Sequence, residues 1–107
     1  MIAVLFEAQA VAEKQERYLE LAAQLKPLLT DIDGFIAIER FQSLTTPGKI
    51  LSLSWWRDEA SIQQWKTNHF HRAAQAEGRD AIFSYYRIRI ARLEREYASE
   101  GRGSSAR

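Results

Sequence analysis

The sequence predicts an α+β fold of the ferredoxin-like type, with the element order β-α-β-β-α-β and a four-stranded antiparallel sheet. A short apolar segment lies near the start of the chain, a long alternating segment spans residues 80–97, and two further strand-like segments adjoin at the middle. Two stretches with the three- to four-residue spacing of a helix separate them. A length of 107 residues fits one domain, which we expect over residues 1–97.

Composition limits the chemistry available to this domain. Fifteen Lys and Arg against fourteen Asp and Glu leave a formal charge of +1, which argues against binding nucleic acid or a membrane through bulk charge. The absence of cysteine excludes disulfides, thiolate metal sites and cysteine nucleophiles. No segment approaches the ~20 apolar residues that cross a bilayer. We therefore expect a cytoplasmic protein without a metal site.

The first two elements are a buried strand and an amphipathic helix. Residues 2–9 are short and apolar, as in a strand buried on both faces. Residues 12–29 then carry apolar side chains at helical spacing. Pro27 lacks a backbone donor and disfavours helical geometry at Lys26, so a kink or an end is expected within residues 25–29.

A hairpin should follow over residues 35–56. Thr46-Pro47-Gly48-Lys49 fits a type II turn, because proline suits its first central position and glycine its second. Strict alternation in the first strand predicts one face formed by Phe35, Ala37, Glu39 and Phe41, and another formed by Ile36, Ile38 and Arg40.

The second half of the chain predicts a helix and a long strand. Asp58 is placed to cap a helix that pauses near Thr67-Asn68 and stops at Gly78. Residues 80–97 alternate like a single strand, and the polar, Gly- and Ser-rich residues 98–107 are expected to be disordered. Large apolar groups on both sides of the last strand would leave an exposed sheet face, which predicts a homodimer.

Several stretches resemble the antibiotic biosynthesis monooxygenase (ABM) family. The resemblance rests on Asp33-Gly34-Phe35, on residues 53–60, on Trp65, on residues 71–79 and on Tyr85-Tyr86-Arg87-Ile88-Arg89-Ile90, and it covers residues 2–97. It implies a dimeric α+β barrel. It also implies oxidation of an electron-rich aromatic or quinol-like molecule without a bound cofactor, because such a substrate can itself reduce oxygen.

A haem-degrading group within the family offers a check. Its members carry an Asn in the first strand, a Trp in the second helix and a ligating His ten residues later. Trp65 matches the Trp, but Gln75 stands at the His position and Glu7 or Ala8 stands at the Asn position. The resemblance therefore argues against haem degradation by that mechanism. Haem held by His69 or His71 in another register remains an alternative.

The candidate site lies around the second helix. Trp65 and His69 are four residues apart and share a helix face, with Arg72 one turn further on. We expect His69 and Arg72 to stabilise a substrate anion, inside a pocket shaped by Trp65, Trp56, Phe70 and Tyr85.

A purely structural role competes with each of these assignments. His69 can equally be a partly exposed residue satisfied by a backbone carbonyl, and His71 is expected to point to solvent. Trp55 and Trp56 are neighbours in a strand and must face opposite sides, so only one of them can line a pocket. Arg87 and Arg89 are expected to pair with Glu7 or Glu39 across the dimer rather than to bind substrate.

Two other functions compete with the monooxygenase hypothesis. One is a non-catalytic dimeric domain that binds a small hydrophobic ligand or acts as a stress-related module. The other is haem binding without the standard ligands. The substrate class expected for the leading hypothesis is a small aromatic or hydrophobic molecule.

Overall fold

The computed structural model describes residues 1–99, with the side chain of His69 left out of that description. Within this range four antiparallel strands form one sheet in the order β2-β3-β1-β4. The strands are β1 (Ile2–Ala10), β2 (Phe35–Gln42), β3 (Lys49–Trp56) and β4 (Phe83–Arg92). The order is that of the ferredoxin-like fold, as predicted. Most of the tail expected to be disordered, residues 98–107, lies outside the described range.

The first helix confirms the predicted helical stretch and its end. A 3₁₀ turn over Ala12–Lys14 leads into α1 (Gln15–Leu29), so the α-helix itself begins three residues later than expected. Pro27 lies within the last turn, and the helix ends two residues after it. The carbonyl of Pro27 accepts a hydrogen bond from the Thr30 hydroxyl at 2.8 Å, which satisfies one of the free acceptors at this helix end.

The hairpin contains the expected turn and an unexpected bulge. The Lys49 amide donates to the Thr46 carbonyl at 3.2 Å, and Gly48 has a φ of 78°, as a type II turn requires. The β2–β3 register shifts between Phe35 and Ala37, however. Strict alternation was therefore the wrong prediction for β2, because the bulge turns Phe35 to the same face as Ile38 and Arg40.

The second helical segment divides into two helices at the predicted pause near Thr67-Asn68. Asp58 caps α2 (Glu59–Lys66) by accepting from the Ser61 amide at 2.9 Å, as expected. After the break at Thr67, the Asn68 side chain accepts from the His71 amide at 3.0 Å and so begins α3 (His69–Glu77).

The chain does not stop its helix at Gly78. It continues through a π-helical turn, Gly78–Ile82, before β4 begins at Phe83 and ends at Arg92. The predicted strand over 80–97 was therefore too long at both ends. Apolar residues with β propensity, such as Ile82, also occur in helical turns that bury them, and Ile82 is among the most buried residues of the described chain.

All three helices pack on one face of the sheet, which we call the inner face. One apolar cluster joins Ile2, Leu29, Trp56, Ile62 and Trp65, and a second joins Ala10, Tyr18 and Ile82 with Phe6 and Phe83 beside them. The opposite, outer face of the sheet carries no helix in the described chain. Its side chains include Leu5, Leu53 and Trp55 together with Glu7, Lys49 and Arg89.

Candidate functional site

The candidate functional site is a cavity of about 190 Å³ between the inner face of the sheet and the helices. Residues of both apolar clusters line it, so it separates two parts of the core. An engineered cavity of roughly 150 Å³ is large enough to bind benzene, which indicates room here for about one substituted ring. Ile88 and Ile90 of β4 line the cavity and are about half exposed, so it opens near this edge strand.

Trp56 forms one wall of the cavity. The side chain is 2% exposed, and its ring meets the Phe35 ring edge-on at a centroid distance of 5.2 Å. The indole Nε1 donates to the Ser54 hydroxyl at 2.9 Å, so the polar atom of this ring is satisfied. Trp55 pairs with Ala3 and Ala37 on the outer face. Of the two adjacent tryptophans, Trp56 therefore lines the cavity.

Trp65 and His71 form a second wall. Trp65 ends the buried stripe of α2, and His71 lies in the first turn of α3. Their ring centroids are 4.4 Å apart with an interplanar angle of 38°. Both side chains line the cavity, so the break at Thr67 brings an imidazole into the site.

The imidazole of His71 is mostly buried, and its surroundings keep it neutral. Desolvation lowers its pKa from 6.5 to about 4. Its Nδ1 atom is shielded from solvent and has no hydrogen-bond partner in the described chain. A neutral imidazole with a free nitrogen can accept a proton from, or donate a hydrogen bond to, a molecule in the cavity.

A third part of the cavity wall is aromatic and contains two hydroxyl groups that bond to each other. The Tyr18 hydroxyl and the Ser52 hydroxyl lie 3.2 Å apart and hydrogen-bond to each other. Phe83 packs edge-on against Tyr18 at 5.4 Å and against Phe6 at 5.5 Å. These groups satisfy one another, and they leave the cavity an apolar surface for a flat molecule.

Two cationic side chains reach this apolar cavity. Arg40 of β2 and Lys66 of α2 both line it, and no Asp or Glu does so among the described residues. Gln75 also lines the cavity, at the position where the haem-degrading pattern would require histidine. The charged residues on the described wall of the cavity are therefore both cations.

The structure brings together two of the six residues that the sequence predicts for the site. Trp56 and Trp65 line the cavity, whereas Phe70 is 63% exposed and Arg72 is exposed outside the lining. Tyr85 pairs with Gln9 on the outer face, where its ring lies 5.6 Å from the Lys49 amine and 5.8 Å from the Arg87 guanidinium. The His69 side chain lies outside the described part.

The predicted helix face of Trp65, His69 and Arg72 does not exist, because α2 ends at Lys66. The expectation that His71 points to solvent was also wrong, since the new helix start turns it inward. Asn68 is a good N-cap residue, so its position three residues before His71 is the sequence signal that the helix starts anew after the predicted pause, with His71 in its first turn.

The arginines of β4 also differ from expectation. Arg89 pairs with Glu7 at 3.3 Å within the same chain, and Lys49 pairs with Glu7 at 2.8 Å. These cations lower the pKa of Glu7, first through the hydrogen bond from Lys49. The expected ion pair across a dimer is thus already made inside one protomer for Arg89.

The described residues contain no group of three or more His, Cys, Asp or Glu side chains that could hold a metal ion. None of the helices described is long and apolar enough to span a membrane.

Comparison with known proteins identifies relatives of this chain. Residues 1–77 match the family described as antibiotic biosynthesis monooxygenase. A relative from Pyricularia oryzae named jasmonate monooxygenase ABM is 44% identical over 93 residues, which are 87% of this chain and 43% of the relative. The chain thus spans less than half of that relative's length. The protein YqjZ of Bacillus subtilis is 28% identical over 88% of this chain and 80% of its own length.

Solved structures share the fold. A conserved protein from Methanosarcina mazei superimposes with a TM-score of 0.79 at 22% identity, covering 87% of this chain and 92% of its own. Sequence identity at this level supports the same architecture and carries no argument about activity.

Proposed function

The chain belongs to the antibiotic biosynthesis monooxygenase family, and on this premise we propose that it is a monooxygenase of small organic molecules. The substrate we propose is an electron-rich aromatic or quinol-like compound, oxidised without a bound cofactor. The observation that carries the proposal is the cavity of about 190 Å³. Its apolar walls include the neutral imidazole of His71, whose Nδ1 atom has no hydrogen-bond partner among the described residues.

The chemistry requires a substrate that supplies its own electrons. For an activated methylene group the balance is R₂CH₂ + O₂ → R₂C=O + H₂O, in which two C–H bonds are replaced by one C=O bond. One oxygen atom enters the product, the other leaves as water, and the substrate provides all four electrons. Removal of a proton from the substrate makes the first electron transfer to oxygen easier, so the protein's task is to bind and deprotonate.

We assign the proton to the Nδ1 atom of His71. Burial lowers the pKa of His71 to about 4, so the imidazole is neutral at neutral pH and one ring nitrogen is able to accept a proton. A substrate anion formed beside the ring would raise that pKa, because an opposite charge favours the imidazolium form. Trp65 and Trp56 would hold the flat substrate between them, and their rings would exclude water from the reacting carbon.

An alternative version of the proposal uses His69 and Arg72, the residues predicted from the sequence, in place of His71. In that version His69 takes the proton and Arg72 stabilises the substrate anion. The exposure of the Arg72 side chain favours His71 over this arrangement. Single substitutions separate the two versions.

A second candidate substrate is jasmonate. The Pyricularia relative at 44% identity carries that substrate in its name. Jasmonate is a small cyclopentanone carboxylic acid, and the mainly apolar cavity with two cationic residues at its wall suits such a molecule. Hydroxylation of its unactivated C–H bonds would need a separate two-electron donor, so assays with jasmonate require an added reductant.

We further propose that the active unit is a homodimer. The outer face carries the partly buried apolar residues Leu5, Leu53 and Trp55 and no helix of the described chain. A second copy packed against this face would complete the barrel expected for the family. Light scattering should give about twice the 12.4 kDa protomer mass. Leu53→Glu should lower that mass to the monomer, and Leu44→Glu, at a fully exposed loop residue, should not.

Oxygen consumption with a panel of hydroquinones and anthrones tests the reaction. We expect turnover by the wild type and a loss of about 10²-fold or more in His71→Phe, the contribution typical of a general base. Trp65→Phe should raise KM more than it lowers kcat. Equal rates in the wild type, His71→Phe and Trp65→Phe would refute the site. Loss of turnover in His69→Ala or Arg72→Met, with His71→Phe unaffected, would support the alternative version.

Two titrations test the competing functions. A shifted Soret band on addition of haem would contradict the proposed absence of a cofactor, and haem that keeps the spectrum of the free compound agrees with it. Binding of hydroquinones without oxygen consumption, with and without an added reductant, would favour a non-catalytic ligand-binding domain.

A further inference from the structure

Two buried nitrogen atoms of the described residues lack a hydrogen-bond partner, and both belong to residues that line the same cavity. They are Nε of Arg40 and Nδ1 of His71. A buried polar atom without a partner costs roughly 1–3 kcal/mol, so two of them at one apolar cavity require an explanation. A ligand that supplies the missing hydrogen-bond partners would remove this cost.

Arg40 specifies what kind of group the ligand must carry. A guanidinium has five N–H donors and no acceptor, so its partner has to be an acceptor. Arg40 makes no ion pair within the part of the chain described, whereas Arg17, Arg57 and Arg89 pair with Glu77, Asp33 and Glu7. A half-buried cation without a counter-charge is costly, and an anionic oxygen is the partner that offsets this cost best.

The surroundings favour an anion over a neutral acceptor. The other charged residue on the cavity wall is Lys66, also a cation, and the described lining contains no carboxylate that would repel an anion. Neighbouring hydroxyls do not compete for the Arg40 guanidinium, because Tyr18 and Ser52 hydrogen-bond to each other and Ser54 accepts from Trp56. The Arg40 guanidinium is thus available to donate hydrogen bonds to an anion in the cavity.

We propose that the cavity binds a small apolar molecule carrying one anionic oxygen group, a carboxylate or a phenolate, with Arg40 as its anion-binding residue. The apolar body lies against Trp56 and Trp65. The anionic oxygen accepts hydrogen bonds from Arg40, and from Nδ1 of His71 once that atom has taken a proton. The proposal rests on the proposed function only in taking this cavity as the substrate site, and binding of the anion does not require that any reaction occur.

Calorimetric titration with matched pairs of probes tests it. One pair is 3-phenylpropanoate with 3-phenylpropanol, and the other is 4-nitrophenolate with 4-nitroanisole, at a pH where 4-nitrophenol is ionised. We expect at least one anion to bind about tenfold or more tightly than its neutral partner, as charge-assisted hydrogen bonds predict. The pair with the larger ratio identifies the carboxylate or the phenolate as the natural headgroup.

Variants separate Arg40 from the general charge of the protein. Arg40→Met should abolish the anion preference while the neutral probes keep their affinity, which also shows that the variant is folded. Arg40→Lys should retain part of the preference, because it keeps the charge but loses the planar donor array. Arg87→Met, on the outer face, is the matched control and should leave both ratios unchanged.

The outcomes distinguish this inference from the proposed function. Equal affinity for the anion and the neutral member of both pairs would overturn it, and so would an anion preference that survives in Arg40→Met. Oxygen consumption by a protein without anion preference would leave the monooxygenase proposal standing alone. An anion preference in a protein that consumes no oxygen supports the inference and contradicts the reaction.

Discussion

The imidazole of His71 packs against the indole of Trp65 at a centroid distance of 4.4 Å and a tilt of 38°, although the two residues belong to different helices. This contact crosses the break at Thr67 and holds α3 against α2 beside the cavity. The orientation of the one mostly buried imidazole among the described side chains therefore depends on packing with a tryptophan. It does not depend on a hydrogen bond to its Nδ1 atom.

The stability of the protein should depend on pH through His71. The pKa of this residue falls from 6.5 to about 4 on folding, so protonation favours the unfolded chain. Stability from this group is complete above pH 6.5 and is lost as the pH falls toward 4. After allowance for solvent screening we expect a loss on the order of 2 kcal/mol.

Urea unfolding at a series of pH values measures this effect. The unfolding free energy of the wild type should fall relative to that of His71→Phe as the pH is lowered from 6.5 to 4. The carboxylates titrate in both proteins, so their contribution cancels in this difference. Leu44→Ala, at a fully exposed loop residue, serves as the control and should follow the wild type at every pH. A difference curve that is flat with pH would contradict the burial of His71.

Replacing Trp56 should be the most damaging change to the core. Its side chain is 2% exposed, packs on Phe35 and donates to Ser54. Trp56→Ala should lower the unfolding free energy by about 3–5 kcal/mol, the usual cost of removing a buried aromatic ring. Leu44→Ala, at a fully exposed residue, should stay within about 0.5 kcal/mol of wild type in the same urea titration. Similar values for the two variants would contradict the placement of Trp56.

Gly34 should tolerate no side chain, whereas Gly48 should tolerate a small one. Gly34 has a φ of 96°, and a Cβ atom there would lie 1.8 Å from the Ser61 hydroxyl oxygen. Gly48 has a φ of 78°, but its Cβ would meet the far end of the Gln15 side chain at 2.9 Å.

We expect Gly34→Ala to cost about 2–5 kcal/mol, the sum of backbone strain and overpacking, and Gly48→Ala about 1 kcal/mol. Thermal unfolding should give Gly34→Ala a lower Tm than Gly48→Ala. A larger loss of stability in Gly48→Ala than in Gly34→Ala would show that the close approach of Gly34 to α2 is wrong.

Asp58 should make the start of α2 sensitive to acid. Hydrogen bonds from the Ser61 hydroxyl and amide, and then from Arg57, lower the Asp58 pKa from 3.8 to about 2. Its stabilising effect is present above pH 3.8 and is lost as the pH falls through 2. The difference in Tm between wild type and Asp58→Asn should therefore narrow over this range. Asp58→Ala lacks the capping oxygen and should have the lowest Tm of the three at neutral pH.

The element order could be predicted because its signals are local. The type II turn at Thr46–Lys49 and the Asp58 cap depend on three or four adjacent residues, and both occur as expected. The strand order follows from the element order, since the ferredoxin-like arrangement is the usual way to place two helices on one side of such a sheet.

The candidate site could be predicted only in part, because its geometry depends on small irregularities. Trp56 and Trp65, which the family resemblance placed in the pocket, both line the cavity. The expected pause near Thr67-Asn68 occurs, but the prediction still placed Trp65, His69 and Arg72 on one helix face across it. On such a face a residue six positions after Trp65 points away from it, and this is why the prediction for His71 failed. Capping by Asn68 restarts the helix and rotates His71 inward, an effect that periodicity alone does not reveal.

Arg40 was not predicted as a site residue, for a different reason. An arginine in a strand with alternating polarity is typical of an exposed edge, and β2 is indeed an edge strand. Its significance appears only when the helices cover that face and leave the guanidinium at the wall of a cavity. Tertiary packing thus decides whether this residue is a surface charge or a binding group.

The bulge in β2 has a consequence for any change in the length of that strand. Phe35 and Arg40 are five positions apart, an odd number, and in a regular strand residues of opposite parity face opposite sides. One extra residue at Ile36 restores equal parity, so that the same strand can fill the core with Phe35 and present Arg40 to the cavity. A strand without the bulge would have to give up one of the two. Insertions and deletions here should therefore affect ligand selectivity more than most substitutions do.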